Sequence, residues 1–132
     1  MIFINWECYN EMNKNRKFDL EERLIEFAIL IIEITENLYI TKAGNHIAGQ
    51  LVRSGTSPAL LYGEAQSAES TNDFIHKLKV LLKELRETHV ALKIIRRVPL
   101  TEQLEIVDNA IKESNELISI FMKSIDTAKK NK

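Results

Sequence analysis

Between Phe74 and Ile95 the residues Phe74, Leu78, Leu81, Leu85, Thr88, Leu92 and Ile95 recur at alternating steps of four and three. That spacing places them on one side of an α-helix and requires a partner helix to cover the side. The same rhythm runs through Leu20, Leu24, Phe27, Ile31, Ile34 and Leu38, and through Leu104, Val107, Ile111, Ser114, Ile118, Phe121, Ile125 and Ala128. A further amphipathic stretch, from about His46 to Gln66, lies between the first two of these. The turns are short: residues 39–45 (YITKAGN), with Gly44 free to take an unusual backbone angle; residues 67–72, closed by Ser70 as a helix cap; and the region of Pro99, which stops the third helix after Arg96 and Arg97. Asp19 and Thr101 are read as caps of the first and fourth helices. The predicted fold is all-α, an up-down-up-down antiparallel four-helix bundle over residues 18–128.

The chain has 132 residues, 45% hydrophobic and 28% charged, with only four glycines and two prolines. This is enough chain for one core and too little for two. Residues 1–17 read as a loose arm and residues 129–132 as a basic tail. Met12, followed by NKNRK, is an alternative start, which would leave residues 1–11 without a selected role. The net charge of −1 supplies no global attraction to nucleic acid or to an anionic membrane. Cys8 is the single cysteine, so no internal disulfide can form. No signal-peptide pattern occurs and Phe27–Ile34 is too short to span a bilayer. The expectation is a soluble, cytoplasmic protein.

Phe27–Ile32 is apolar at six consecutive positions, and at 100° per residue such a run covers the whole helix circumference. Either neighbouring helices of the bundle wrap this turn, or a second subunit covers its outer face. The second reading is preferred.

In the second helix the polar residues are periodic too. Gln50, Arg53, Ser54, Ser57 and Glu64 fall within an arc of about 100° on a helical wheel, beside an apolar face. The stripe reads as an interhelical or intersubunit polar layer, with Arg53 paired to a carboxylate such as Glu84 or Glu87. A ligand-facing groove is the sharper alternative. Pro58 lies inside this helix and predicts a bend, while the glycines around it permit close helix approach.

Most enzyme chemistry lacks its residues. No Glu-x-x-His pair of the kind that builds di-iron sites in bundles is present, since Ala43, Asp73 and Arg86 precede His46, His76 and His89 by three. Ser54 and Ser57 have no histidine on their helix face to serve as base. No glycine-rich phosphate loop occurs. No catalytic residue, metal site or cofactor is expected, and His89 reads as a hydrogen-bonded packing residue on the core edge.

An up-down-up-down topology returns the start of the first helix and the end of the fourth to one end of the bundle. Lys14, Arg16 and Lys17 are thereby expected near Lys129, Lys130 and Lys132, a patch able to hold phosphates through counterion release. Ordinary solvated tails are the alternative for a monomer, and a ring of subunits would multiply the patch on one rim.

Gln50–Thr88 resembles the four helix bundle protein family that includes proteins encoded in intervening sequences of bacterial 23S ribosomal RNA genes. The residues that carry the resemblance are QLVRSGTS (50–57), Tyr62, GEAQSAES (63–70), DFIHKL (73–78) and KELRET (83–88), with KNRKFDLEERLIEFA (14–28) similar to the family's usual start. Relatives commonly carry Asn before the tyrosine, where this chain has Leu61. The resemblance implies a homopentameric ring without established enzymatic activity. Accessory proteins of diversity-generating retroelements, related in fold, bind nucleic acid and a reverse transcriptase. Gln50, Arg53, Ser54, Ser57, Glu64, Phe74, Lys77 and Glu84 match the family pattern and are expected to be structural or interface positions.

The resulting expectation is a non-catalytic, oligomeric binding or scaffolding protein whose basic end takes RNA or DNA. A ring that serves only as a protein–protein adaptor is the alternative. An enzyme with a cleft between subunits, using Arg53 and Glu64, is a third reading and is not adopted.

Overall fold

The computed structural model describes residues 19–131. They form four helices, α1 (Leu20–Glu36), α2 (Lys42–Gln66), α3 (Thr71–Arg97) and α4 (Leu104–Lys130), and no strand occurs among the described residues. Each helix packs on the next in sequence, and α1 against α4 closes the bundle. The connection between α1 and α2 meets the connection between α3 and α4, where the Tyr39 N–H donates to the Leu100 carbonyl over 2.8 Å. The two connections share one end, as alternating helix directions require.

The heptad positions form the core. Leu24, Phe27, Ile31 and Ile34 of α1, Leu78, Leu81, Leu85, Leu92 and Ile95 of α3, and Val107, Ile118, Phe121 and Ile125 of α4 are all buried, whereas in α4 Ile111 is only partly buried and Ala110 and Leu117, outside the expected seam, join the core. At the start of α3 the seam turns by one residue, with Ile75 buried and Phe74 only partly so. Between α2 and α4 the Tyr62 and Phe121 rings meet edge to face, centroids 5.8 Å apart.

The helix starts follow local chemistry. Asp19 accepts from the Glu22 N–H (3.2 Å) and Ser70 from the Asp73 N–H (3.1 Å), as expected of both caps. Two expectations fail. Helix α2 begins at Lys42 instead of His46, because Thr41 caps it by accepting from the Gly44 N–H at 2.9 Å. Gly44 therefore sits in a regular first turn with no positive φ. It is small for another reason, since a Cβ there would collide with the Tyr39 carbonyl.

Thr101 does not cap α4, whose N-cap is Gln103 without a side-chain bond. The Thr101 hydroxyl instead donates to the Asn37 carbonyl (2.9 Å) and accepts from the Gln103 N–H (3.2 Å). It is buried and ties the α3–α4 connection to the end of α1. Pro58 lies buried inside an unbroken α2. Gly55 lets α1 and α2 touch there, since a Cβ would stand 2.8 Å from Ile31 Cγ1.

Helix α1 is shorter than its neighbours. Arg23, in its first turn, pairs with Glu113 and Glu116 in the middle of α4. At about 1.5 Å per residue, α4 runs roughly 15 Å further than α1 at the end away from the Thr101 tie.

Candidate interaction surfaces

The polar stripe of α2 divides between the interior and the surface. Ser54 is buried, and its hydroxyl lies 2.9 Å from that of Thr88 on α3. Ser57 turns inward on its own helix and donates to the Arg53 carbonyl at 2.6 Å. Arg53 forks outward to Glu84 (2.9 Å) and Glu87 (2.7 Å), the pairing expected from the sequence. Those two carboxylates raise the Arg53 pKa, with the Glu87 hydrogen bond the main cause. Glu64 stands 4.0 Å from Lys77 on α3, and Gln50 lies exposed at the edge of a surface groove. The stripe thus runs along the α2–α3 seam, and its interior part is bonded within the chain.

His89 is half-buried on the inner edge of α3, with Nδ1 2.7 Å from Ser114 Oγ of α4. Ser114 directs its own proton to the Ile111 carbonyl (2.9 Å), so Nδ1–H donates to the serine oxygen. Burial, and then the charge of Lys93, lower the His89 pKa. No group of three or more His, Cys, Asp or Glu suited to a metal ion occurs among the described residues.

Of the basic residues singled out, Lys14, Arg16, Lys17 and Lys132 lie outside the described residues. Lys129 and Lys130 are exposed in the last turn of α4. They share that end of the bundle with Glu69, Asp73 and Asp126, so its described surface carries mixed charge.

Among the open apolar surfaces of the described residues, two lie on the outer faces of α1 and of the α2–α3 pair. The first is the outer side of α1, where Ile25, Ile29 and Ile32 are 37%, 53% and 42% exposed. The neighbouring helices wrap the inner side of the Phe27–Ile32 run and leave this stripe uncovered. Glu21, Glu22, Glu26, Glu33 and Glu36 surround it, and none of them has an ion-pair partner among the described residues. Burial, and then the charge of Glu22, raise the Glu26 pKa.

The second is a groove between the first half of α2 and the outer face of α3. Ile47, Leu82, Val90, Ala91 and Ile94 give it an apolar floor. Lys79, Lys83 and Arg86 stand along it on α3, with His46 on α2 and with Glu87, whose carboxylate Arg53 holds. Neither the two lysines nor Arg86 is ion-paired among the described residues; Arg86 reaches only Met122 Sδ, at 3.4 Å. Nothing in the spacing of Lys79, Lys83 and Arg86 signals this groove, because it shows only which side of α3 they share and not that α2 lies beside them.

The chain is similar to a solved structure from Bacteroides thetaiotaomicron, a protein of unknown function from the S23 ribosomal protein family. The two share 29% identity with a TM-score of 0.74, over 81% of this chain and 98% of the other. No family model matches the sequence. No curated protein matches it. No helix among the described residues is long and apolar enough to cross a membrane.

Proposed function

We propose that this protein is a non-catalytic scaffold that works as an assembly of several identical copies and presents its helix ends to a partner. The observation that carries the reading is the open isoleucine stripe of α1, Ile25, Ile29 and Ile32, on a helix whose opposite side is fully used by the core. An apolar ridge of this kind, rimmed by charge, is characteristic of a protein–protein contact. The likeness to a member of the S23 ribosomal protein family supports the kinship of this bundle with proteins of 23S intervening sequences and of diversity-generating retroelements. On that kinship we read the assembly as a homopentameric ring in the cytoplasm.

The partner on this reading is RNA or DNA, held through Lys129 and Lys130 together with Lys14, Arg16, Lys17 and Lys132. The adaptor reading, a ring that holds protein alone, is favoured by one observation: Glu69, Asp73 and Asp126 dilute the positive charge of the described basic end. Native mass spectrometry of protein purified without nuclease tests both. Five-chain species that carry added mass and absorb at 260 nm support the nucleic-acid reading, and binding should then fall steeply with salt. A clean pentamer that retains a protein after nuclease treatment supports the adaptor. A monomer at every concentration removes the assembly and with it both readings.

A further inference from the structure

We propose that the α1 ridge of one copy docks into the α2–α3 groove of the next, so that the chain associates head to tail through two different surfaces. This rests on the assembly reading and specifies the contact it uses.

The two surfaces match in form. Ile25, Ile29 and Ile32 stand proud on one helix and span about 10 Å, whereas Leu82, Val90, Ala91 and Ile94 line an open trough between two helices. A ridge of one helix set into the space between two others is the standard way helices bury apolar side chains. Neither surface has anything in this chain to cover it among the described residues.

They also match in charge. Five glutamates with no ion-pair partner among the described residues rim the ridge, while Lys79, Lys83 and Arg86 rim the groove, whose lining carboxylate, Glu87, is held by Arg53. Ridge against ridge would bring like charges together, and so would groove against groove. Ridge against groove joins opposite charges around an apolar centre, the arrangement that selects a partner and fixes its register. Glu22 and Glu26 already repel one another in the free chain, and a cation from the groove would relieve that repulsion. Since the two surfaces lie on different sides of the bundle, each copy retains one free surface after docking, and the contact propagates until it closes.

Charge reversal tests the pairing. Glu22→Lys with Glu26→Lys, and separately Lys79→Glu with Lys83→Glu, should each weaken self-association on the order of a hundredfold in analytical ultracentrifugation, because like charges then face each other. The chain carrying all four reversals should associate again to within about tenfold of wild type. Ile29→Asp and Val90→Asp, both at exposed positions, provide variants that test the apolar centre and should also dissociate the assembly. Helical circular dichroism and thermal melting establish that each variant is folded. Association of the half-reversed chains as strong as that of wild type, or no recovery in the fourfold variant, overturns this contact while leaving self-assembly intact. A wild-type monomer at every concentration overturns the assembly reading and this contact together.

Discussion

Ser54 of α2 and Thr88 of α3 meet hydroxyl to hydroxyl at 2.9 Å in the interior, where Ser54 is 2% and Thr88 0% exposed. Thr88 Oγ1 also lies 2.9 Å from the carbonyl of Glu84, one turn earlier in its own helix. A hydroxyl has one proton. With the Thr88 proton on the Glu84 carbonyl, the Ser54 hydroxyl donates to Thr88 Oγ1, and all three groups are satisfied. The pair joins two helices at a heptad position where an apolar side chain would otherwise pack.

Removing the acceptor should therefore cost more than removing the donor. Thr88→Val leaves the Ser54 hydroxyl buried without Thr88 Oγ1 and should destabilise the chain by about 1–3 kcal/mol. Ser54→Ala leaves Thr88 bonded to Glu84 and should cost about 0.5–1.5 kcal/mol. The double variant should lose less than the sum, and a double-mutant cycle by urea unfolding measures the difference. Strict additivity would mean that the two hydroxyls do not interact.

Gly55 and Gly49 should respond in opposite directions to the same substitution. At Gly55 a Cβ meets the buried Ile31 side chain, which has no space to retreat, while at Gly49 nothing lies within 4 Å of the added atom. Overpacking of this kind costs about 1–3 kcal/mol, partly offset by about 1 kcal/mol of helix propensity. Gly55→Ala should thus lower the melting temperature, and Gly49→Ala should raise it through a stabilisation of about 0.4–1 kcal/mol. A stabilised Gly55→Ala protein would show that α1 and α2 do not touch at Ile31.

His89 should make stability fall as the solution turns acidic. Its folded pKa is below the unfolded value, through burial first and then Lys93, so the unfolded chain takes up the proton first. The neutral ring's contribution is complete above about pH 6.5 and diminishes as pH falls through the unfolded and then the folded pKa. His89→Gln should flatten the stability profile just below pH 6.5, which denaturant titrations at several pH values will show. An unchanged slope would assign that acid sensitivity to other groups.

The amino-acid sequence by itself determined the helices and their inward sides. Leu78, Leu81, Leu85, Leu92 and Ile95 are buried as their spacing requires, because a period of three and four residues has only one helical face to occupy. The Asp19 and Ser70 caps were legible for a similar reason, since each bonds an N–H three residues away. Even the Arg53 pairing could be anticipated, as opposite charges on adjacent helices have few other partners within reach. Only the tertiary structure decided features that join distant parts of the chain. Thr101 looks like a cap until the end of α1 brings the Asn37 carbonyl within 2.9 Å. Gly44 looks like a turn residue until the Tyr39 carbonyl folds back over it. The apolar run Phe27–Ile32 reveals its length but not which side stays open; that depends on where α2 and α4 lie. The groove between α2 and α3 exists only once those two helices are side by side, because periodicity records the direction of a side chain within its helix and carries no information about the neighbour that borders it.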